Sequence, residues 1–120
     1  MKIDWLRRLC LGLLLWLGLG AAHALAPADA LAVADGDLGE RVAAVQRLAA
    51  SRDSRAAELI RALADERVKF AGERVYIVNG DAATDALTGQ PATLPPEAQD
   101  AMLNNRLRGA LEPALAEIGR

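Results

Sequence analysis

Three pairs of nearby carboxylates are the residues of this chain best suited to chemistry, because paired acids can bind a cation or share general acid–base work. They are Asp35 with Asp37, Asp65 with Glu66, and Asp81 with Asp85. None of the pairs has the flanking ligands and the closing glutamate of a calcium loop. We therefore interpret them as helix caps and turn residues, so that the sequence predicts neither a metal site nor a catalytic site.

Histidine and cysteine occur once each, as His23 and Cys10. Both lie within residues 1–24, a segment that we predict is removed from the mature protein. Without them, the mature chain lacks the side chains that zinc sites, cysteine nucleophiles and Ser-His-Asp triads require. We expect the protein not to be an enzyme and to use no cofactor.

The N-terminal segment predicts export. Basic residues at positions 2, 7 and 8 precede an uninterrupted apolar run from Leu9 to Ala22, in the order of a secretory signal peptide. We predict cleavage after Ala24, because cleavage after Ala26 would leave Pro27 directly behind the cut. The alternative is an uncleaved membrane anchor, which needs about 20 apolar residues. In both cases the following residues face the periplasmic side of the inner membrane.

Size and charge limit the possible functions. The chain has 120 residues, of which 14 are basic and 16 are acidic, for a formal net charge of −2. The predicted signal peptide contains more basic than acidic residues, so its removal makes the mature chain more negative. A mildly acidic domain is a poor candidate for binding nucleic acid, which depends on cationic side chains. The length allows one small domain.

Two amphipathic helices are predicted after a leader formed by residues 25–36. Asp37 and Glu40 have the spacing of a capping box at the start of the first helix. Apolar residues then recur at helical spacing until residues 51–54 interrupt the pattern, and a second helix continues to about Glu66. A connection this short predicts that the two helices pack antiparallel.

A β-hairpin is predicted over residues 68–78, with its turn at Gly72. Alternation of side chains predicts that Val68, Phe70, Val75 and Ile77 face inward and that Lys69, Tyr76 and Val78 do not. A hairpin alone is marginally stable in water, so we expect it to pack on the helices. Residues 79–96 are predicted to form a polar loop.

A C-terminal helix is predicted from Pro95 and Pro96, because proline is favourable in the first turn. Pro113 falls within its apolar stripe and predicts a kink or the start of a new helix. The chain stops at Arg120 without a strong helix stop signal, which we interpret as a cut. The predicted buried set over both regions comprises Leu48, Leu59, Ile60, Leu63, Ile77, Leu107 and Leu111.

Two adjacent asparagines, Asn104 and Asn105, fall inside this predicted helix, where asparagine is unfavourable. At about 100° per residue, Asn104 lies beside the apolar stripe and Asn105 on the opposite side. Two interpretations remain open: a solvated polar face with a tolerated boundary asparagine, or pairing of Asn104 with exposed backbone of the hairpin or loop. The candidate structural or interface residues are Asn104, Asn105, Arg106, Arg108, Leu111 and Leu115.

Three segments carry a resemblance to a known family. Residues 41–49, with the pattern R-x-x-A-V-x-x-L-A, and the helix that follows resemble a HEAT-type repeat. With the stretches VKFAGERVYIVNGDAATDALTGQP and NNRLRGALEPALA, the mature chain resembles the exported N-terminal extension of urea-type ABC transporter permeases, a branch of the branched-chain amino acid permease family. The most telling residues are Asp85, Thr88-Gly89 and residues 104–108.

The resemblance implies a mainly α fold over residues 37–120, with one HEAT-like antiparallel helix pair, a small β-hairpin and a C-terminal helix. In that family the extension continues into further helical repeats and a membrane domain that forms the urea path. No second apolar run of this chain approaches the length of a membrane span. The resemblance therefore implies a fragment, a truncated product or an isolated domain that serves urea transport only with the membrane subunits of an ABC transporter.

The alternative is a free-standing exported interaction module, built from a helical repeat and without a transport role. Neither hypothesis implies a nucleic-acid partner, and the sequence identifies no small-molecule site. The continuation of the gene past the Arg120 codon separates the two hypotheses.

Overall fold

The computed structural model describes residues 25–119, so the predicted signal peptide and its cleavage site at Ala24 lie outside the described residues. About 49% of the described chain is helical and about 19% is in strands. The fold therefore combines helices with an antiparallel sheet and is not purely α. The helices are α1 (Pro27–Asp35), α2 (Leu38–Ala50), α3 (Ser54–Ala64) and α4 (Asn105–Ile118). The strands are β1 (Val68–Ala71), β2 (Arg74–Asn79), β3 (Ala82–Asp85), β4 (Pro91–Ala92) and β5 (Gln99–Asp100).

The predicted leader contains α1, a helix that the sequence analysis did not predict. The residue before α1, Ala26, provides no side-chain cap, so the sequence lacks the usual signal of a helix start. Ala30, Val33 and Ala34 are buried, and α1 packs mainly on α2. The small apolar residues of this segment therefore belong to the core.

The starts of α2 and α3 follow from their caps. Asp37 accepts a hydrogen bond from the backbone N–H of Glu40 at 2.8 Å, as the capping pattern predicts. Asp53 accepts from the N–H of Arg55 at 2.8 Å and begins α3. The predicted pair of helices thus exists and is joined by residues 51–53, but α2 packs more extensively on α1 and α4 than on α3.

The predicted hairpin is the centre of a five-stranded antiparallel sheet with the order β4-β3-β2-β1-β5. The register pairs Val68 with Ile77 and Phe70 with Val75, and three of these four side chains are buried while Phe70 is half-buried. Tyr76 belongs to the other face but is only 4% exposed. The prediction that Tyr76 lies on a different face from Val75 and Ile77 is therefore confirmed, and Tyr76 is buried there outside the main core cluster.

The predicted loop of residues 79–96 contains β3 and β4. Gly80 adopts a φ of 61°, which suits the tight turn between β2 and β3. Asn79 pairs with Ala82 across this turn. The first residues of the predicted loop, Asn79 and Gly80, thus form the connection to a third strand.

The predicted helix start at Pro95 is also wrong, since α4 begins at Asn105. Residues 99–100 pair with β1 instead, and the N–H of Ala101 donates to the carbonyl of Val68 at 2.9 Å. These bonds occupy backbone groups of β1 that a lone hairpin would leave unpaired. Residues 99–100, which local helix signals place in the C-terminal helix, therefore form an edge strand of the sheet.

A single helix runs through Pro113, so no new helix begins there. Pro113 and Gly109, whose carbonyl loses its helical partner, are both exposed, so water can satisfy that carbonyl. All seven residues of the predicted buried set are buried, with exposures of 0 to 2%. No helix within residues 25–119 has the length and apolarity needed to cross a bilayer.

Candidate functional site

The carboxylate pairs are largely used in local structure. Asp37 caps α2, Asp65 lies 3.5 Å from Arg67, and Asp85 accepts a hydrogen bond from the N–H of Leu87 at 2.8 Å. In the part of the chain that the structure describes, no group of three or more His, Cys, Asp or Glu side chains could hold a metal ion. For these acids, the contacts agree with the interpretation as caps and turn residues.

Asn104 is the N-cap of α4. Its side-chain oxygen accepts a hydrogen bond from the N–H of Leu107 at 2.8 Å, and its carbonyl accepts from the N–H of Arg108 at 2.9 Å. Pairing of Asn104 with the hairpin or loop is therefore wrong. The polar face is solvated, as the other interpretation has it, but Asn104 begins the helix rather than interrupting it. Asn105 and Arg106 occupy the first exposed positions of α4.

The segment Asp85–Gly89 forms a compact turn that contacts α3. The N–H of Gly89 donates to the carbonyl of Asp85 at 2.8 Å, and the N–H of Gln90 donates to the Thr88 hydroxyl at 3.2 Å. Gly89 has a φ of 74°, and a Cβ at this position would lie 2.9 Å from Cζ of Arg55 and overlap its Nη1. Glycine adopts this left-handed conformation without strain and leaves the space that the Arg55 guanidinium occupies.

Arg41 connects α1 to α2. Its Nε donates to the carbonyl of Val33 at 2.9 Å, close to the C-terminal end of α1, where a cation is favourable. Burial lowers the pKa of Arg41, and the nearby Asp35 acts in the opposite direction. Within the described residues its Nη2 is buried without a hydrogen-bond partner. This arginine joins two helices and lines none of the clefts described below.

Two clefts lie between α3 and α4. The first has a volume of about 350 Å³ and contains residues from the start of α3 and the end of α4. Its lining comprises Leu48, Ala49, Arg52, Asp53, Ser54, Ala57, Arg61, Glu117 and Ile118. Because the start of one helix meets the end of the other, α3 and α4 run antiparallel.

The second cleft, of about 220 Å³, lies towards the opposite end of the same pair of helices. Its lining comprises Ala64, Leu103, Arg108, Leu111, Glu112 and Leu115. At this end Arg108 also lies 3.4 Å from Glu66, just beyond α3, in agreement with the antiparallel arrangement.

The two clefts have no lining residue in common, and we refer to the surface along α3 and α4 on which both lie as the α3–α4 groove. On α3 it is formed by Ala57, Arg61 and Ala64, and on α4 by Leu111, Leu115 and Ile118. Each set follows the spacing i, i+4, i+7, so each occupies one side of its helix.

The second cleft is lined mainly by apolar surface, whereas the first cleft is more polar than apolar. Leu111 is 2% exposed, whereas Leu103, Leu115 and Ile118 are partly buried residues at the edge of the core. Of the candidate interface residues, Arg108, Leu111 and Leu115 are brought together here, whereas Asn104, Asn105 and Arg106 do not line it.

The charged side chains along the α3–α4 groove differ between its two helices. Arg61 lies on the α3 side and Glu112 on the α4 side, and both are exposed. Arg52, at the start of the groove, has a φ of 59°. None of these three residues forms an ion pair within residues 25–119, whereas Arg108 is paired with Glu66. Because Asp53 and Glu117 line the same cleft as Arg52 and Arg61, this end of the groove carries charges of both signs.

Sequence reasoning did not identify the α3 residues of this groove. Their spacing of four and three residues was visible, but small or basic residues on a helix are common on solvated surfaces. The groove could be recognised only once α3 and α4 were known to be neighbours.

Comparison of the chain with protein-family models, with curated proteins and with solved structures gives no match.

Proposed function

We propose that this chain is the exported N-terminal domain, or a fragment, of the permease subunit of a urea-type ABC transporter. In this proposal it lies on the periplasmic side of the inner membrane beside the membrane subunits. It performs no catalysis and serves urea transport only as part of the complete transporter. The segment α2–α3 is its HEAT-like helix pair.

The observation that carries the proposal is the placement of the residues that resemble the permease family. Asp85 and Gly89 build the turn that contacts Arg55 of α3, and Asn104 begins α4. Each of these residues therefore has a local structural role, as the proposal requires.

The α3–α4 groove is a surface of the kind that a domain within a larger assembly needs for its neighbours. The groove serves equally well in the alternative hypothesis, the free-standing exported interaction module. Its existence therefore favours a binding role but does not select the transporter.

The gene provides the first test. We expect the sequence past the Arg120 codon to continue, in the same or a shifted frame, into apolar stretches of about 20 residues that can span a bilayer. A gene region without any such stretch would favour the interaction module.

Transport provides the second test. Disrupting the coding sequence in its bacterial host should lower the uptake of radiolabelled urea, and the complete permease gene should restore it. The 120-residue chain expressed alone in a strain without a urea transporter should give no uptake, because the proposed urea path belongs to the membrane domain. Uptake of an unrelated amino acid in the same strains is the control. Urea uptake that is unchanged by the disruption would contradict the proposal.

A further inference from the structure

We propose that Asn79 is a site of spontaneous deamidation and that Arg67 holds the aspartate that forms there. The reaction converts the side-chain amide of Asn79 to a carboxylate and releases ammonia, with water as the only co-reactant. This inference goes beyond the proposed function and does not depend on it.

The reaction is intramolecular, because its two reacting groups belong to neighbouring residues. The backbone nitrogen of the following residue attacks Cγ of Asn79 and forms a cyclic imide. The Cγ–Nδ2 bond breaks, and Nδ2 leaves as ammonia with the proton of the attacking nitrogen. Water then opens the imide. Cleavage of the new bond to Cγ gives aspartate, whereas cleavage of the bond to the main-chain carbonyl carbon gives isoaspartate.

Gly80 supplies an accessible backbone nitrogen. It is exposed in the turn between β2 and β3 and has a φ of 61°. A Cβ at this position would meet no atom within 4 Å. Within the described residues its N–H forms no backbone hydrogen bond. Because glycine also has no side chain, nothing next to the attacking nitrogen obstructs its approach to Cγ.

Asn79 can reach the reactive geometry at the cost of one strand pair. It is exposed and ends β2, and its pairing with Ala82 is the last of the β2–β3 ladder before the turn. Rotation of this residue towards Gly80 therefore requires only local opening. The contact with Arg67 uses Oδ1 of the amide, so Nδ2, the leaving group, is not held by it.

Arg67 faces the side-chain oxygen that the product retains. Its Nη1 donates to Oδ1 of Asn79 at 2.5 Å and to the carbonyl of Val78 at 3.4 Å. A carboxylate in place of the amide makes the first of these bonds charge-assisted and stronger. Nη2 of the same guanidinium lies 3.5 Å from Asp65. The aspartate product therefore fits a contact that already exists in the fold.

Asn104 and Asn105 are internal controls for this reaction. Both are exposed, but each is followed by a residue with a side chain, Asn105 and Arg106 respectively. The oxygen of Asn104 is held by the N–H of Leu107 at 2.8 Å, and Asn105 begins α4. Reaction at either position requires opening of the first helical turn. We therefore expect slow deamidation at both.

The test incubates the whole folded chain in mildly alkaline buffer and follows each asparagine by peptide mapping with mass spectrometry. We expect Asn79 to deamidate at least about tenfold faster than Asn104 and Asn105, because it alone precedes glycine. Gly80→Asp is the matched variant, since aspartate tolerates a positive φ but its side chain obstructs the attack, and it should slow the reaction at least about tenfold. Deamidation of Asn79 no faster than that of the other two would overturn the assignment of the site.

The Asn79→Asp variant tests the role of Arg67, because it supplies the product directly. We expect its melting midpoint to lie above that of the parent by up to about 4 °C, the gain of a partly exposed ion pair in a small domain. In an Arg67→Gln background the gain should disappear, and comparison of the four chains isolates the contact. An equal effect of Asn79→Asp with and without the Arg67 side chain would overturn its assignment as the group that holds the product. Both readouts are independent of urea uptake.

Discussion

At the scale of single residues, Gly89 combines a left-handed backbone with a close contact to the Arg55 guanidinium. We expect Gly89→Ala to lower the free energy of unfolding by about 1–3 kcal/mol, because alanine is strained at this φ and its Cβ displaces the arginine. Urea unfolding followed by circular dichroism measures the change. In an Arg55→Ala background the loss should be smaller, since only the backbone strain then remains.

Gly109 provides the control for this substitution. It lies within α4, and a Cβ there would meet no atom within 4 Å. Gly109→Ala should therefore stabilise the chain by up to about 1 kcal/mol through helix propensity. A similar response of the two glycines would show that the turn at Gly89 is not as the structure describes it.

Asn104 and Asn105 are chemically identical neighbours with different roles. Asn104→Ala removes the side-chain cap of the Leu107 N–H and should cost about 0.5–2 kcal/mol of stability. Asn105→Ala, one residue further into the helix, should be neutral or slightly stabilising. Thermal unfolding of the two variants decides the point, and equal losses would argue against Asn104 as the helix start.

At the scale of the elements, α4 is held by one apolar side. Leu107 is 0% exposed, so Leu107→Ala should cost about 2–5 kcal/mol, because it removes buried surface and leaves a cavity. Leu115→Ala should cost clearly less, since Leu115 is only partly buried at the groove. Denaturant unfolding of both variants measures which substitution is the more destabilising. If Leu107→Ala lowers the free energy of unfolding by less than about half a kcal/mol, the buried side of α4 is misassigned.

The elements that sequence analysis identified are those whose signals are local. Asp37 and the apolar spacing that follows it predicted α2, and the alternation around Gly72 predicted β1 and β2. By contrast, β4 and β5 have two residues each and exist because they pair with strands elsewhere in the chain. Two residues give no periodicity, so such strands cannot be predicted from local pattern.

Two helix starts were missed for different reasons. The residue before α1, Ala26, provides no cap, and the segment is rich in small residues on every side. Asn104 does provide a cap, but apolar spacing on both sides of it suggested a longer helix. Residues 99–100 pair with β1, so the helix starts after them and not at Pro95. This tertiary pairing cannot be recognised from a single sequence.

At the scale of the whole molecule, the seven predicted core residues were correct because burial follows from the apolar stripes of individual elements. The α3–α4 groove was not predicted, although its α4 residues Leu111 and Leu115 were candidates. A groove depends on which two elements lie side by side, and only the fold shows that α3 is the neighbour of α4 here.

Processing of the chain provides a prediction at this scale. Leu25 is only 5% exposed, and α1 begins two residues later at Pro27. A peptidase needs its substrate extended and accessible, so cleavage at the predicted site requires this end of the fold to open. Purified precursor that has been allowed to fold should therefore resist signal peptidase, whereas the same precursor in urea at a concentration the enzyme tolerates should be cut. Equally fast cleavage of both would contradict this expectation.

If the chain is exported with the proposed cleavage after Ala24, the burial of Leu25 favours removal of the leader before α1 has docked. Under that proposal, folding of α1 competes with cleavage. A substitution that speeds the docking of α1 would then leave a larger fraction of the protein uncleaved, even though the folded domain would be unchanged.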